Sequence, residues 1–260
     1  MCLALFAHKV ISRYPLLFLA NRDEFYDRPT AAAGFWKDTS SVLGGRDLRM
    51  GGTWLGVTRD GRFAAVTNFR KGFAQKKNAP SRGRLVSDFL QGNETAEDYL
   101  RQLVLRADDY DGFNLLIGDA GKIYYYSNHS CELKRLAPGF YGLSNHLLNT
   151  PWPKVERGKS ELAALFATGQ PPDSEALFAV LAERHIPPDA ELPDTGVGLE
   201  WERMLSPALI ISPNYGTRSS TLLFIGTDQR IKFSERTFER GVEAGTVNHE
   251  FVIQTIGSQA

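Results

Sequence analysis

Cys2 is the residue whose type and place most suggest chemistry. A small second residue favours removal of Met1, which would leave a thiol and a free α-amine on one residue. An α-amine titrates at about 7.7–8.0, so a useful fraction is neutral near pH 7 and can take the thiol proton. An N-terminal cysteine is then a nucleophile with its own base, and no histidine is required. His8 is not a rival base: six residues along an extended strand, at about 3.3 Å each, put it roughly 20 Å away. From position alone, Cys2 also reads as a small buried residue.

The second concentration of reactive groups lies in LFLANRDEFYDRPT, residues 17–30. An apolar run stops at Ala20, and Arg22, Asp23, Glu24, Asp27 and Arg28 follow at once. Such a burst at the mouth of a buried strand is either a structural ion-pair turn or a means of setting the charge of a neighbouring group. Other signatures are weaker. GGRDLRMGG fits neither GxxxxGK[ST] nor GxGxxG, so its glycines read as turn residues. His129 and Cys131 are close, yet no second pair stands at ligand spacing, and no metal is expected. CxxCH is absent, which leaves a haem contact through His8, His129, His146, His185 or His249 open.

Strands must position these groups. CLALFA (2–7) and PLLFLA (15–20) are apolar on both alternating faces, the pattern of strands buried on two sides, and HKVISRY joins them as a hairpin. VLGGRDLRMGGTW leads into TWLGV, the turn TRDGR and FAAVTNF, a second hairpin. GRLVSDFLQG predicts a helix stopped at Gly92, and Thr95 caps AEDYLRQLVLRA. FNLLIGD, AGK and IYYYSN form a third hairpin, and GFYGLSN starts another strand. Helical patterns resume at PKVERGKSELAALFA and SEALFAVLAERH, and strands at ALIIS, STLLFIGT, RIKFSERTF and NHEFVI. Runs of strands alternating with runs of helices imply an α+β layered fold with antiparallel sheets, over 1–260 as a single domain. The long connection 186–203, rich in Pro, Gly and acid, reads as a lid, a binding loop or disorder.

Bulk properties narrow the partners. Thirty basic residues cancel thirty acidic ones, so neither nucleic acid nor an anionic membrane is indicated, and a small-molecule substrate is expected. No apolar stretch approaches the roughly 20 residues that span a bilayer, and no leader pattern opens the chain. Two cysteines build no disulfide framework. The expectation is a cytoplasmic protein without a cofactor.

ANRDEFYDRP, GGRD, GGTWLGV, VTNFR, GFNLLIGD, YGLSNHLLNTPWPKV, GTRSSTLL and FSERT, in this order, resemble the NRDE family from start to finish. That family looks like an offshoot of the N-terminal nucleophile hydrolases, which implies a four-layer αββα sandwich with two antiparallel sheets. Relatives of this kind that use an N-terminal cysteine, penicillin and bile-salt amidases, carry an arginine and an aspartate after the second strand. The resemblance maps these roles to Arg22 and Asp23, with Glu24 as the other acid that could serve the amine. It further implies Asn68 of VTNFR as oxyanion donor, Asn145 of LSNHLLNTPW and Arg218 of YGTRSST as active-site residues, and Asn21, Glu24, Trp54 and His146 as substrate neighbours. The function so implied is an amide hydrolase or acyltransferase for a small acylated substrate. The alternative is a haem- or lipid-handling protein on the same fold, with haem as ligand.

Overall fold

The computed structural model describes residues 3–73, 76–167 and 172–254. Cys2 lies outside the described residues. Thirteen strands are described, making two antiparallel sheets. The six-stranded sheet runs in the order β10 (Gly139–Leu143), β1 (Leu3–Ile11), β2 (Tyr14–Phe25), β11 (Tyr215–Ile225), β12 (Arg230–Glu239) and β13 (Val242–Val252). The seven-stranded sheet follows chain order: β3 (Thr30–Phe35), β4 (Val42–Asp47), β5 (Leu55–Thr58), β6 (Phe63–Asn68), β7 (Phe113–Gly118), β8 (Ile123–Ser127) and β9 (Glu132–Arg135).

Strands with apolar residues at every position need cover on both faces, and both central pairs receive it. Ala4, Phe6, Leu16 and Phe18 enter the space between the sheets, where they meet Leu55, Phe63 and Leu116. The alternate residues Leu3, Leu5, Leu17 and Leu19 pack against Val155, Leu162, Leu177 and Leu181 of α3 (Pro153–Phe166) and α4 (Ser174–Leu181). On the far side, Ala64, Val66, Leu115 and Ile117 of the seven-stranded sheet meet Leu85, Phe89, Leu100 and Leu103 of α1 (Gly83–Gln91) and α2 (Ala96–Val104). Three cores therefore separate four layers, helices outside and sheets inside, as expected. Each fully buried Leu or Phe contributes about 1.5–3 kcal/mol relative to exposure.

Thr95 caps α2 by accepting from the Asp98 amide, and Pro153 stands in the first turn of α3. One sequence expectation fails, and two further segments take forms that the sequence reading did not assign. ALIIS (208–212) is not a strand; it makes one bridge, Ile211 to Gly216, because the Leu209 and Ile210 amides donate instead to Glu183 O and Thr217 Oγ1. TAAAGF forms β3, although Ala and Gly are poor strand formers. The connection 186–203 includes the start of α5 (Leu199–Leu205) and is tied down: Gly72 N donates to Thr195 O at 2.6 Å, and Glu202 accepts from Thr195 N and Oγ1. Among the described residues no helix is long and apolar enough to cross a membrane, and no group of three or more His, Cys, Asp or Glu could hold a metal ion.

Candidate functional site

The apolar run that ends at Ala20 does not end the strand. β2 continues to Phe25 because β11 pairs with it throughout, from Leu16 opposite Ile225 to Phe25 opposite Tyr215. On its other edge β2 pairs with β1, and Leu3 stands opposite Asn21. The charge burst thus lies beside the first described residue of the chain, as the hairpin reading requires.

Alternation then separates the charged side chains. Arg22, only 4% exposed, rests its guanidinium 4.2 Å from the Trp54 ring and donates to Thr30 Oγ1 at 3.1 Å. Burial lowers the Arg22 pKa from its ordinary value against the pull of Glu24 and Asp47, yet a guanidinium remains charged at neutral pH. Asp23 accepts from the Thr217 hydroxyl at 2.6 Å. Glu24 accepts from the Phe25 amide and lies 3.7 Å from Arg28. Arg28 continues across to the other sheet, where its Nη2 meets Asp47 Oδ2 at 2.6 Å.

Arg22, Asp23, Glu24, Trp54 and Asn68 line one cleft of about 270 Å³. Its floor comes from the strand ends, and its wall from residues 79–83 at the start of α1. The wall needs glycine: a Cβ on Gly52 would stand 2.5 Å from the Gly83 carbonyl carbon, so only bare backbone lets the loop after β4 reach the helix. Arg22, Arg28, Arg49 and Arg82 face Asp23, Glu24, Asp47 and Asp111 in this cleft, four charges of each sign. A neutral or zwitterionic ligand suits such a balance better than a polyanion.

Asn145 belongs to a neighbouring cleft of about 590 Å³ that shares Asn68, Arg82 and Asp111 with the first. Its Nδ2 donates to the Asn68 carbonyl at 3.1 Å, so the two amides are structurally joined. Besides Asn145, three expected residues stand apart from the first cleft. Asn21 is fully buried and fully used, its Nδ2 donating to Leu181 O and Ala208 O and its Oδ1 accepting from Ser220; it anchors the helix layer and touches no cleft. Arg218 is the extra residue of a β-bulge, and from Nη1 it donates to the carbonyls of Phe25, Tyr26 and Arg28, bracing the NRDE turn from a third cleft. His146 sits in an aromatic stack with Phe69 and Trp152.

Sequence reasoning missed Arg28, Asp47, Arg82 and Asp111 as cleft residues. GGRD and the DRP of the NRDE stretch were the available signal for the first two, since an acid and a base in neighbouring motifs invite pairing. Residues 79–83 and Asp111 carry no local mark.

Residues 1–240 match the family described as Transport and Golgi organisation 2. Over 260 residues the chain is 36% identical to the Transport and Golgi organization protein 2 homolog of Bos taurus, covering 93% of this chain and 94% of that protein. Among solved structures it is similar to the C2A mutant of conjugated bile acid hydrolase from Clostridium perfringens, with a TM-score of 0.53, 10% identity and coverage of 97% and 92% of the two chains. It is also similar to an N-acylethanolamine-hydrolyzing acid amidase ortholog from Caenorhabditis elegans, with a TM-score of 0.50, 13% identity and coverage of 85% and 92%. At these identities the likeness is one of fold, that of the N-terminal nucleophile hydrolases.

Proposed function

The chain belongs to the Transport and Golgi organisation 2 family, and from that premise we propose that it is an N-terminal-cysteine amide hydrolase or acyltransferase for a small acylated substrate. One observation carries the reading: the antiparallel register runs off the start of β1 at Leu3 opposite Asn21, next to the buried Arg22 that lines the cleft. The proposal requires Cys2 to continue the alternation of Ala4 and Phe6, whose side chains enter the layer between the sheets. Two fold neighbours, named a conjugated bile acid hydrolase and an N-acylethanolamine-hydrolyzing acid amidase, share the fold on which this reading places hydrolytic chemistry.

The α-amine of Cys2 takes the thiol proton, and Arg22 favours the thiolate. Sulfur bonds to the substrate carbonyl carbon, and Asn68 donates to the oxyanion that develops. The tetrahedral intermediate collapses, the carbon–nitrogen bond breaks, and the ammonium gives its proton to the leaving amine. Water or a second acceptor then resolves the thioester by the reverse proton route. Asp23, held by Thr217, is the acid assigned to orient the ammonium, with Glu24 directed instead at Arg28.

Intact mass spectrometry of the protein from its native host tests the N-terminal nucleophile directly, and the mature chain is expected to lack Met1. Cys2 should then alkylate faster than the exposed Cys131 near neutral pH, because an activated thiol ionises below about 8.5. A homogeneous population that keeps Met1, or equal and slow labelling of both thiols, rejects the nucleophile and leaves a ligand-handling protein.

A further inference from the structure

Asn68 and Asn145 are each followed by a ring, and the two rings meet. Phe69 carries His146 at 4.9 Å between centroids, planes 37° apart, and His129 from the β8–β9 turn at 3.8 Å and 18°. His146 also lies 5.7 Å from Trp152, whose ring has the Arg70 guanidinium 4.9 Å away. Two hydrogen bonds lace the same segments: the Asn145 side-chain Nδ2 donates to Asn68 O at 3.1 Å, and the Arg70 backbone N to Asn145 O at 2.7 Å. We propose that His129 and His146 are positioning residues, which clamp Phe69 and thereby fix the Asn68–Asn145 pair at the junction of the two clefts. This rests on the reading of Asn68 as oxyanion donor for its consequence, though not for its test.

The protonation state of the clamp follows from its bonds. Thr150 Oγ1 donates to Leu147 O at 2.8 Å, so toward His146 Nδ1, also 2.8 Å away, the hydroxyl oxygen accepts. Nδ1 therefore carries the proton of a neutral ring. Burial holds the His146 pKa below 6.5, and His129 and Arg70 push the same way. The charged groups around the clamp are Arg70 on the segment after β6, paired with the buried Glu202 of α5 at 3.1 Å, and Lys71, Lys76, Arg82 and Asp111 around His129 in the second cleft. The carboxylate of Glu202 is already engaged by Arg70 and by the Thr195 amide and hydroxyl. A proton on His146 therefore sets a second positive charge beside Arg70 and weakens the clamp.

The test reads the two asparagine side-chain amides by nuclear magnetic resonance, alongside the histidine rings, between about pH 5 and 8, the imidazole range. Asn68→Asp and Asn145→Asp variants assign the signals. In the wild-type chain the Asn68 and Asn145 amide signals should move with His146 at a common midpoint below 6.5. His146→Phe keeps a ring against Phe69 and should abolish that movement, whereas His129→Ala should displace the Asn68 signal at every pH. Asparagine signals that stay still while His146 titrates, or that titrate unchanged in His146→Phe, overturn the proposal. The wild-type titration decides it even if a variant does not fold. No substrate is used, so the clamp stands or falls on these signals even in a chain without acyl-transfer activity.

Discussion

Arg28 and Asp47 lie 19 residues apart in sequence and join the two sheets beside the cleft. Burial alone would raise the Asp47 pKa, but Arg28 at 3.1 and 2.6 Å and the amides of Arg49 and Met50 outweigh it and hold the carboxyl below its ordinary value. A depressed carboxylate contributes stability above its unfolded value of about 3.9 and loses it as pH falls through the folded value. Asp47→Asn should therefore cost about 1–3 kcal/mol at neutral pH, with the gap closing in acid below about pH 4. Urea unfolding at both pH values measures it, and an equal gap at both would show that the charge is immaterial. Asn68→Ala should behave differently. The bond from Asn145 ends on the Asn68 carbonyl, which alanine keeps, so stability should hold while acyl transfer slows by about 10²–10³. A variant that reacts at the wild-type rate removes Asn68 from the mechanism; one that unfolds makes it structural.

The first turn of α1 and the loop after β4 build the cleft wall, and their contact is backbone on backbone. Gly52→Ala would place its Cβ 2.5 Å from the Gly83 carbonyl carbon and 2.7 Å from its oxygen, atoms that cannot rotate aside. The expected cost is about 1–3 kcal/mol, typical of overpacking, read as a lowered urea midpoint at unchanged slope. An unshifted midpoint would mean that the helix start yields freely. Elements of this kind were legible where a local period marks them. The apolar β1–β2 hairpin, the Thr95-capped helix and the strand-and-helix alternation announce the layers before any contact is known. What the sequence hides is non-local. β2 runs past Ala20 only because β11 supplies partners for Arg22, Asp23 and Glu24, and 208–212 fails as a strand because Glu183 and Thr217 take its amides. Asn21 sits in the same motif as Arg22, yet alternation sends one to the helix layer and the other between the sheets. Motif membership does not reveal that division.

The two sheets are held together by more than apolar packing. Ala33 lies at an irregularity in the β3–β4 pairing, where its backbone is released from the ladder, and the opposite sheet takes up both groups. Its amide donates to Glu235 Oε1 of β12 at 2.7 Å, and its carbonyl receives His249 Nε2 of β13 at 3.3 Å, which makes that nitrogen the donor. Glu235 is 1% exposed, and its Oε2 accepts from Thr221 at 3.3 Å. Burial raises its pKa despite the bonds to Ala33 and Thr221 and the nearby Arg22. A raised acid contributes stability that is complete below its unfolded value of about 4.3 and is lost as pH rises through the folded value. Glu235→Gln keeps an acceptor for the Ala33 amide without the titrating proton. Its melting temperature relative to wild type should therefore climb as pH rises from about 4.3, then level off above the folded value. Glu235→Leu instead strands the Ala33 amide and should lose about 1–3 kcal/mol at every pH. Thermal melts of the three proteins across that range separate the proton from the bond. A Gln variant with a pH-independent offset would place the cost of this buried carboxyl elsewhere, and a stable Leu variant would show that the sheets do not depend on this contact.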